Sequence, residues 1–225
     1  MTKNRIEGHF DNIAKNYDSG KKKYSFYYSN LKKLLSSLTA RNKNIFEVGC
    51  GTGDLLASLS PNFGYGMDLS SQMIRIAKTK YSNRKQLYFS TKWPNIFTPL
   101  GGTYDYIFMS DVVEHLDNPR DIFRKIKTLM KKDTLFINTM ANPKWEWLLM
   151  FWERMGWKMK EGPHERYTHS ELKIILGNLG LKIVDHDYTL LLPVNIPVIS
   201  SFANRYLLNM FKKYAFLEYF VVSKK

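Results

Sequence analysis

The residues best able to do chemistry stand together at Glu47-Val48-Gly49-Cys50-Gly51-Thr52-Gly53-Asp54, with a further carboxylate at Asp68. Glycine lets a backbone turn tightly and approach a ligand with no Cβ in the way. The loop follows an apolar run and opens a helical pattern, as a nucleotide-binding turn must. Asp68 falls at the end of the next apolar run, where a carboxylate can accept hydrogen bonds from both hydroxyls of a ribose. A nicotinamide cofactor would want G-x-G-x-x-G, whose amides hold a pyrophosphate. Here the glycines fall at 49, 51 and 53, and an acid, Glu47, precedes them. Negative charge at that point suits a cationic ligand better than a diphosphate, which disfavours a nicotinamide oxidoreductase.

S-adenosylmethionine carries a sulfonium and an ammonium and meets that requirement. The loop, together with Gly66-Met67-Asp68-Leu69-Ser70 and Tyr104-Asp105-Tyr106-Ile107-Phe108-Met109-Ser110-Asp111-Val112-Val113-Glu114-His115-Leu116, resembles the class I S-adenosylmethionine-dependent methyltransferases. The resemblance covers residues 10–140 well and 170–225 more loosely. It implies that Glu47, Gly49 and Gly51, with Cys50 and Gly53 in the same loop, line the methionine part of the cofactor. It implies that Asp68 holds the ribose, with Leu69 and Met73 beside the adenine, and that Ser110 and Asp111 close the pocket. The family often has an acid after the third strand. Phe89-Ser90-Thr91-Lys92-Trp93 stands there instead, leaving Ser90 or Thr91 as a hydroxyl partner and Trp93 to stack.

Methyl transfer is an in-line displacement at a sulfonium carbon, so positioning supplies much of the catalysis. A base is needed only where the acceptor must lose a proton. Two histidines are candidates, His115 after the fourth strand and His164 in Gly162-Pro163-His164-Glu165-Arg166-Tyr167. Each has a plainer reading: His115 packs beside the cofactor loop, and His164 is a loop histidine with no role. The five histidines are scattered and the lone cysteine sits in the glycine loop, so no metal site is expected. Tyr17, Trp145, His164 and Tyr167 are the expected acceptor-binding residues.

These groups need elements to position them. Phe10, Ile13, Tyr17, Tyr24, Tyr27, Tyr28, Leu31, Leu34, Leu35 and Leu38 follow helical spacing, giving one or two helices over 10–38. Strands are expected at Ile45–Val48, Gly64–Leu69, Leu87–Phe89, Tyr104–Ser110 and Thr134–Thr139, then at Leu181–Leu192 and Leu217–Val222. Helices lie between them: one from Asp54, one capped by Ser70 or Ser71, one over Pro119–Met130, and one capped by Ser170. This alternation predicts an α/β, Rossmann-like fold of seven mostly parallel strands, helices on both faces, the last strand antiparallel. Residues 1–225 form a single domain with a helical cap over 1–43 and an insertion over 141–169.

Composition bounds the partners. The net charge is +14, and residues 1–43 hold ten basic against three acidic side chains. A basic arm meets nucleic acid, anionic lipid or an acidic substrate, or is simply a solvated face. Enzymes that methylate exocyclic base amines show Asn- or Asp-Pro-Pro-aromatic after the fourth strand, whereas Ser110-Asp111-Val112-Val113 has no proline. A nucleic-acid acceptor is therefore disfavoured, and a small-molecule or lipid-linked acceptor with O-methylation is expected. A non-catalytic module that keeps the cofactor is the other alternative. Four of the five tryptophans, Trp145, Trp147, Trp152 and Trp157, fall in the insertion, and Trp145, Leu148, Leu149 and Trp152 share a helical face. That face is either packed on the sheet or a lid over a greasy acceptor, with peripheral contact to an anionic membrane. One cysteine and no apolar leader point to the cytoplasm.

Overall fold

The computed structural model describes residues 3–95, 103–116, 118–155 and 167–225. Seven strands form one sheet: β1 (Asn44–Val48), β2 (Phe63–Met67), β3 (Leu87–Ser90), β4 (Tyr104–Ser110), β5 (Met130–Ala141), β6 (Leu181–Thr189) and β7 (Leu217–Lys224). Their order is β3-β2-β1-β4-β5-β7-β6. The pairs from β3 to β5 are parallel, and β7 runs antiparallel to both β5 and β6.

The central strands are apolar at consecutive positions because both sheet faces are covered. Successive side chains point to opposite faces, so Phe46, Ile107 and Phe136 enter one core while their neighbours Ile45, Phe108 and Ile137 enter the other. On the first face, α5 (Pro119–Leu129) contributes Phe123 and Ile126, and α7 (His169–Asn178) contributes Leu172 and Leu176. On the second, α2 (Ser25–Leu38) contributes Leu31 and Leu35, α3 (Asp54–Ser58) Leu55 and Leu56, and α4 (Ser71–Lys80) Ile74 and Ala77. The first helix, α1 (Lys3–Lys23), packs on α4.

Local chemistry sets the helix starts. Ser70 caps α4 by accepting the Met73 N–H at 3.1 Å. Asn118 caps α5, with Pro119 at the first helical position, where its missing N–H costs nothing. The cap of α7 is Thr168 and not Ser170. Thr168 accepts the Glu171 N–H while Glu171 accepts the Thr168 N–H, a reciprocal box that Ser170, already inside the helix, cannot make. β6 stops at Thr189, short of Leu192, and β5 begins four residues before Thr134, at Met130.

The segment after β5 is a 3₁₀ turn, Pro143–Trp145, followed by α6 (Glu146–Arg154). Asn142 caps the turn, and its side-chain amide donates to the carbonyls of Lys213 and Ala215. Trp145 precedes α6, and it packs into the same core cluster as Leu149. Leu149 is buried, while Trp147, Met150, Phe151 and Met155 are exposed.

Candidate functional site

The carboxyl ends of β1, β2 and β4 meet at the glycine loop, where an open α/β sheet takes its ligand. Gly49 and Cys50 both donate backbone N–H bonds to the Met67 carbonyl, which folds the loop across the end of β2. Gly49 holds φ +74°, and a Cβ there would lie 2.4 Å from Val112 Cγ2. That position therefore admits glycine for two separate reasons, backbone hand and space.

Asp68 faces the loop. One carboxylate oxygen accepts the Gly51 N–H at 2.8 Å and the other the Ser70 N–H at 2.9 Å. The carboxylate's remaining acceptor capacity can still take a ribose hydroxyl. Burial raises the Asp68 pKa, against the lowering effect of those two bonds. Glu47 is 2% exposed, and one of its oxygens accepts the Leu56 N–H of α3 at 3.2 Å. Burial holds its carboxyl well above the usual range. Such a group calls for a cation, and Lys21 of α1 supplies one. Lys21 is pulled down by burial and pulled back by Asp54, Glu47, Asp18 and Asp111.

α1 is tied over the loop. Asp11 accepts from the Ser70 hydroxyl at 2.5 Å and from the Gln72 N–H at 3.1 Å. Asp18 accepts from the Thr52 hydroxyl and from Lys80, while Tyr17 stands 3.4 Å from where a Gly51 Cβ would be. Asp11 and Asp18, seven residues apart on one helix face, are contacts that the sequence reading passed over. Their spacing beside Tyr17 was the available signal.

β4 ends at Ser110, and Asp111 follows it. Asp111 adopts φ +54°, a left-handed conformation that Asp tolerates better than most residues. Both of its oxygens lie 2.8 Å from the Tyr27 hydroxyl of α2. Burial, then the Asp111 charge, drives the Tyr27 phenol well up, so it stays protonated and donates. Tyr27 stacks edge-on to Phe216, and Phe216 edge-on to Trp145, whose Nε1 donates to the Tyr214 carbonyl at 2.8 Å. An aromatic chain thus braces Asp111 against the segment after β5. Beside it, Ser110 Oγ, Asn138 Oδ1 and Nδ2, and Thr139 Oγ1 are buried with no hydrogen-bond partner among the described residues.

The remaining expected residues fall as follows. Cys50 is buried, and burial raises its thiol pKa. Gly53 sits at φ +84° at the start of α3. Met73 is 1% exposed at the start of α4, and Leu69 packs partly into the core. Thr91 is exposed. Trp93 packs edge-on to Phe46, with Lys125 Nζ 5.6 Å from its ring, on the α5 side of the sheet. His115 ends a 3₁₀ turn, Val113–His115, and meets the Phe10 ring edge-on at 5.5 Å. The Tyr167 hydroxyl donates to the Leu116 carbonyl at 2.9 Å. His164 lies outside the described residues. The expectation of scattered histidines fails: His169 and His186 meet at Glu218.

The acidic loop with its buried carboxylate fits a cationic, ribose-bearing ligand. Glu47 and Asp68 would hold the sulfonium amino acid and ribose of S-adenosylmethionine, which supplies an activated methyl group when bound.

Comparison with known proteins agrees with this geometry. A family model described as a methyltransferase domain matches residues 21–186. An uncharacterized protein of Methanocaldococcus jannaschii is 28% identical over 146 residues, which span 61% of this chain and 52% of that protein. A ubiquinone biosynthesis O-methyltransferase of Coxiella burnetii is 27% identical over 115 residues, 49% of each chain. The chain thus spans about half the length of these relatives. A solved Thermotoga maritima structure, described as a SAM-dependent methyltransferase and possible histamine N-methyltransferase, superposes with a TM-score of 0.69. It is 17% identical, and the match covers 98% of this chain and 100% of that one.

Proposed function

We propose that this chain, which belongs to the methyltransferase-domain family, transfers the methyl group of S-adenosylmethionine to an oxygen of an apolar or lipid-linked acceptor. The observation that carries the acceptor class is an apolar surface at the ligand end of the sheet. Two connections leave that end. One is the segment after β5, which exposes Trp147, Met150, Phe151 and Met155. The other joins β6 to β7 and exposes Val198, Ile199, Phe202, Tyr206, Met210 and Phe211. The two touch through Trp145 and Tyr214 and through Lys144, whose Nζ donates to the Lys213 carbonyl. Exposed Lys144, Arg154, Arg205 and Lys213 are interspersed with them. Apolar side chains mixed with cations at one edge suit the boundary of an anionic membrane. Among the described residues no helix is long and apolar enough to cross a membrane, so the contact is peripheral.

In this reading the glycine loop, Glu47 and Asp68 orient the cofactor. Asp111, fixed by Tyr27, borders the acceptor. Holding methyl and nucleophile in line lowers the barrier: the C–O bond forms as the C–S bond to the sulfonium breaks, S-adenosylhomocysteine leaves, and the acceptor hydroxyl gives its proton to solvent. The Coxiella relative's name, which specifies an O-methyltransferase, supports oxygen as the acceptor atom.

The test is transfer of label from methyl-labelled S-adenosylmethionine to a long-chain phenol in anionic vesicles, against a soluble short-chain phenol. Label is expected in the lipid phase, with vesicle co-sedimentation reduced by the joint change Trp147→Ser and Phe151→Ser. Transfer to the soluble phenol alone, with no vesicle binding, overturns the acceptor class.

A further inference from the structure

Three side chains distant in sequence meet where α7 begins against β6 and β7. His186 Nε2 lies 2.8 Å from Glu218 Oε1, and His169 Nδ1 lies 3.7 Å from the same oxygen. The three ligand atoms all fall within 4.8 Å of one another. Glu218 is 1% exposed, whereas the two imidazoles are 33% and 22% exposed, so the cluster is reachable from solvent.

The imidazole positions are fixed. The rings of His169 and His186 are 4.1 Å apart, and both stack on Phe220, at 5.3 and 4.8 Å. Their hydrogen bonding is incomplete. His186 is bonded to Glu218, but His169 Nδ1 is buried, stands 3.7 Å from the same oxygen, and makes no hydrogen bond within 3.5 Å among the described residues. One carboxylate oxygen thus has two ring nitrogens directed at it and is bonded to one.

We propose that His169, His186 and Glu218 bind a divalent transition-metal ion of the zinc type, with solvent in the fourth position. Zinc sits about 2.0 to 2.2 Å from nitrogen and oxygen ligands, so tetrahedral ligands stand about 3.3 to 3.6 Å apart. The observed 2.8 and 3.7 Å separations bracket that value, and side-chain shifts of under about 1 Å produce the geometry. Two imidazoles and a carboxylate suit zinc better than magnesium or calcium, which prefer all-oxygen shells. Coordination requires neutral imidazoles. The Tyr188 ring stands edge-on to His186 at 5.0 Å, packing against the cluster from outside the ligand set. The ligands come from α7, β6 and β7, so a bound ion joins the edge strand and the last helix to the sheet. This site stands apart from the glycine loop and does not depend on the methyl-transfer reading.

The experiment uses the full chain without an affinity tag, stripped with a chelator and titrated with Zn²⁺ against a chromogenic chelator. One equivalent is expected to bind, with Co²⁺ giving the visible absorption of a tetrahedral site. His169→Gln and His186→Gln should each weaken binding by about tenfold or more, the scale of disrupting a metal's ligand environment. His9→Gln should leave it unchanged. Zn²⁺ should raise the melting temperature of the parent chain but not of His186→Gln, with circular dichroism verifying that each variant folds. No stoichiometric Zn²⁺ binding, or equal binding by the folded histidine variants, overturns the proposal.

Discussion

Replacing Gly49 by Ala tests whether the loop conformation is imposed by backbone hand and space together. At φ +74° an alanine is strained by about 1 to 2 kcal/mol. The new Cβ would sit 2.4 Å from Val112 Cγ2, an overlap that must be relieved by moving Val112 or the loop. Overpacking of this kind costs about 1 to 3 kcal/mol. The sum is a loss of about 2 to 5 kcal/mol in urea unfolding, with the denaturant slope unchanged. Combining Gly49→Ala with Val112→Ala separates the two causes, because it removes the overlapping methyl and leaves the strain. The double-mutant cycle should return a favourable coupling of about 1 to 3 kcal/mol. Gly177→Ala is the control. Nothing lies within 4 Å of its added Cβ, and alanine in a helix should gain up to about 1 kcal/mol. A Gly49→Ala chain as stable as the parent would refute the argument, as would zero coupling with Val112.

Asp68→Ala should weaken S-adenosylmethionine binding by about 2 to 3 kcal/mol in calorimetry, since hydrogen bonds to a charged group are worth about 1.5 to 3 kcal/mol; unchanged affinity would remove Asp68 from the ribose. His115→Gln distinguishes the two readings of that histidine. A base would cost turnover roughly 10²-fold with affinity kept, whereas a residue packed on Phe10 would lower both together and modestly. Cofactor binding should also depend on pH through Glu47. Burial holds its carboxyl well above the ordinary range, and a bound cation favours the ionised form, so binding releases a proton and affinity climbs as pH rises through that raised value. Calorimetry in buffers of different ionisation enthalpy measures the release, and proton uptake would contradict it.

The sheet was legible because its strands are buried on both faces and separated by helical periodicity. Val48 and Gly49 mark the strand-to-loop boundary in residue type alone. The cap of α7 was misplaced because two hydroxyl residues stand near its start. Only the reciprocal Glu171 contact selects Thr168 over Ser170. Trp145 and Leu149 pack into one core cluster, although Asn142-Pro143 starts a 3₁₀ turn that places Trp145 just before α6. Other contacts are long-range and leave no local signature. Tyr27 reaches Asp111 across 84 residues, and His186 reaches Glu218 across 32. A tyrosine on an apolar helix face reads as core until the partner is seen, and two histidines without ligand spacing read as scattered.

Charge is sorted within this fold. A chain of net charge +14 gathers Glu47, Asp54, Asp18, Asp68 and Asp111 around one loop, where the titration of Lys21 senses four of them. Acids packed together are costly unless a cation answers them. Lys21 does so here, and burial weakens its hold on its own proton. A ligand bearing a sulfonium and an ammonium offers the same carboxylates two cations that need no helix to be held in place. In the proposed site the cofactor and Lys21 compete for one electrostatic role. That competition couples cofactor binding to the position of α1, whose Asp11 and Asp18 anchor it to Ser70, Gln72 and Thr52 at the loop and the start of α4. On the proposed function, the basic residues left outside suit an anionic acceptor or surface, and the two ends of the reaction would be read by opposite fields, an acidic interior for the methyl donor and a basic exterior for its acceptor.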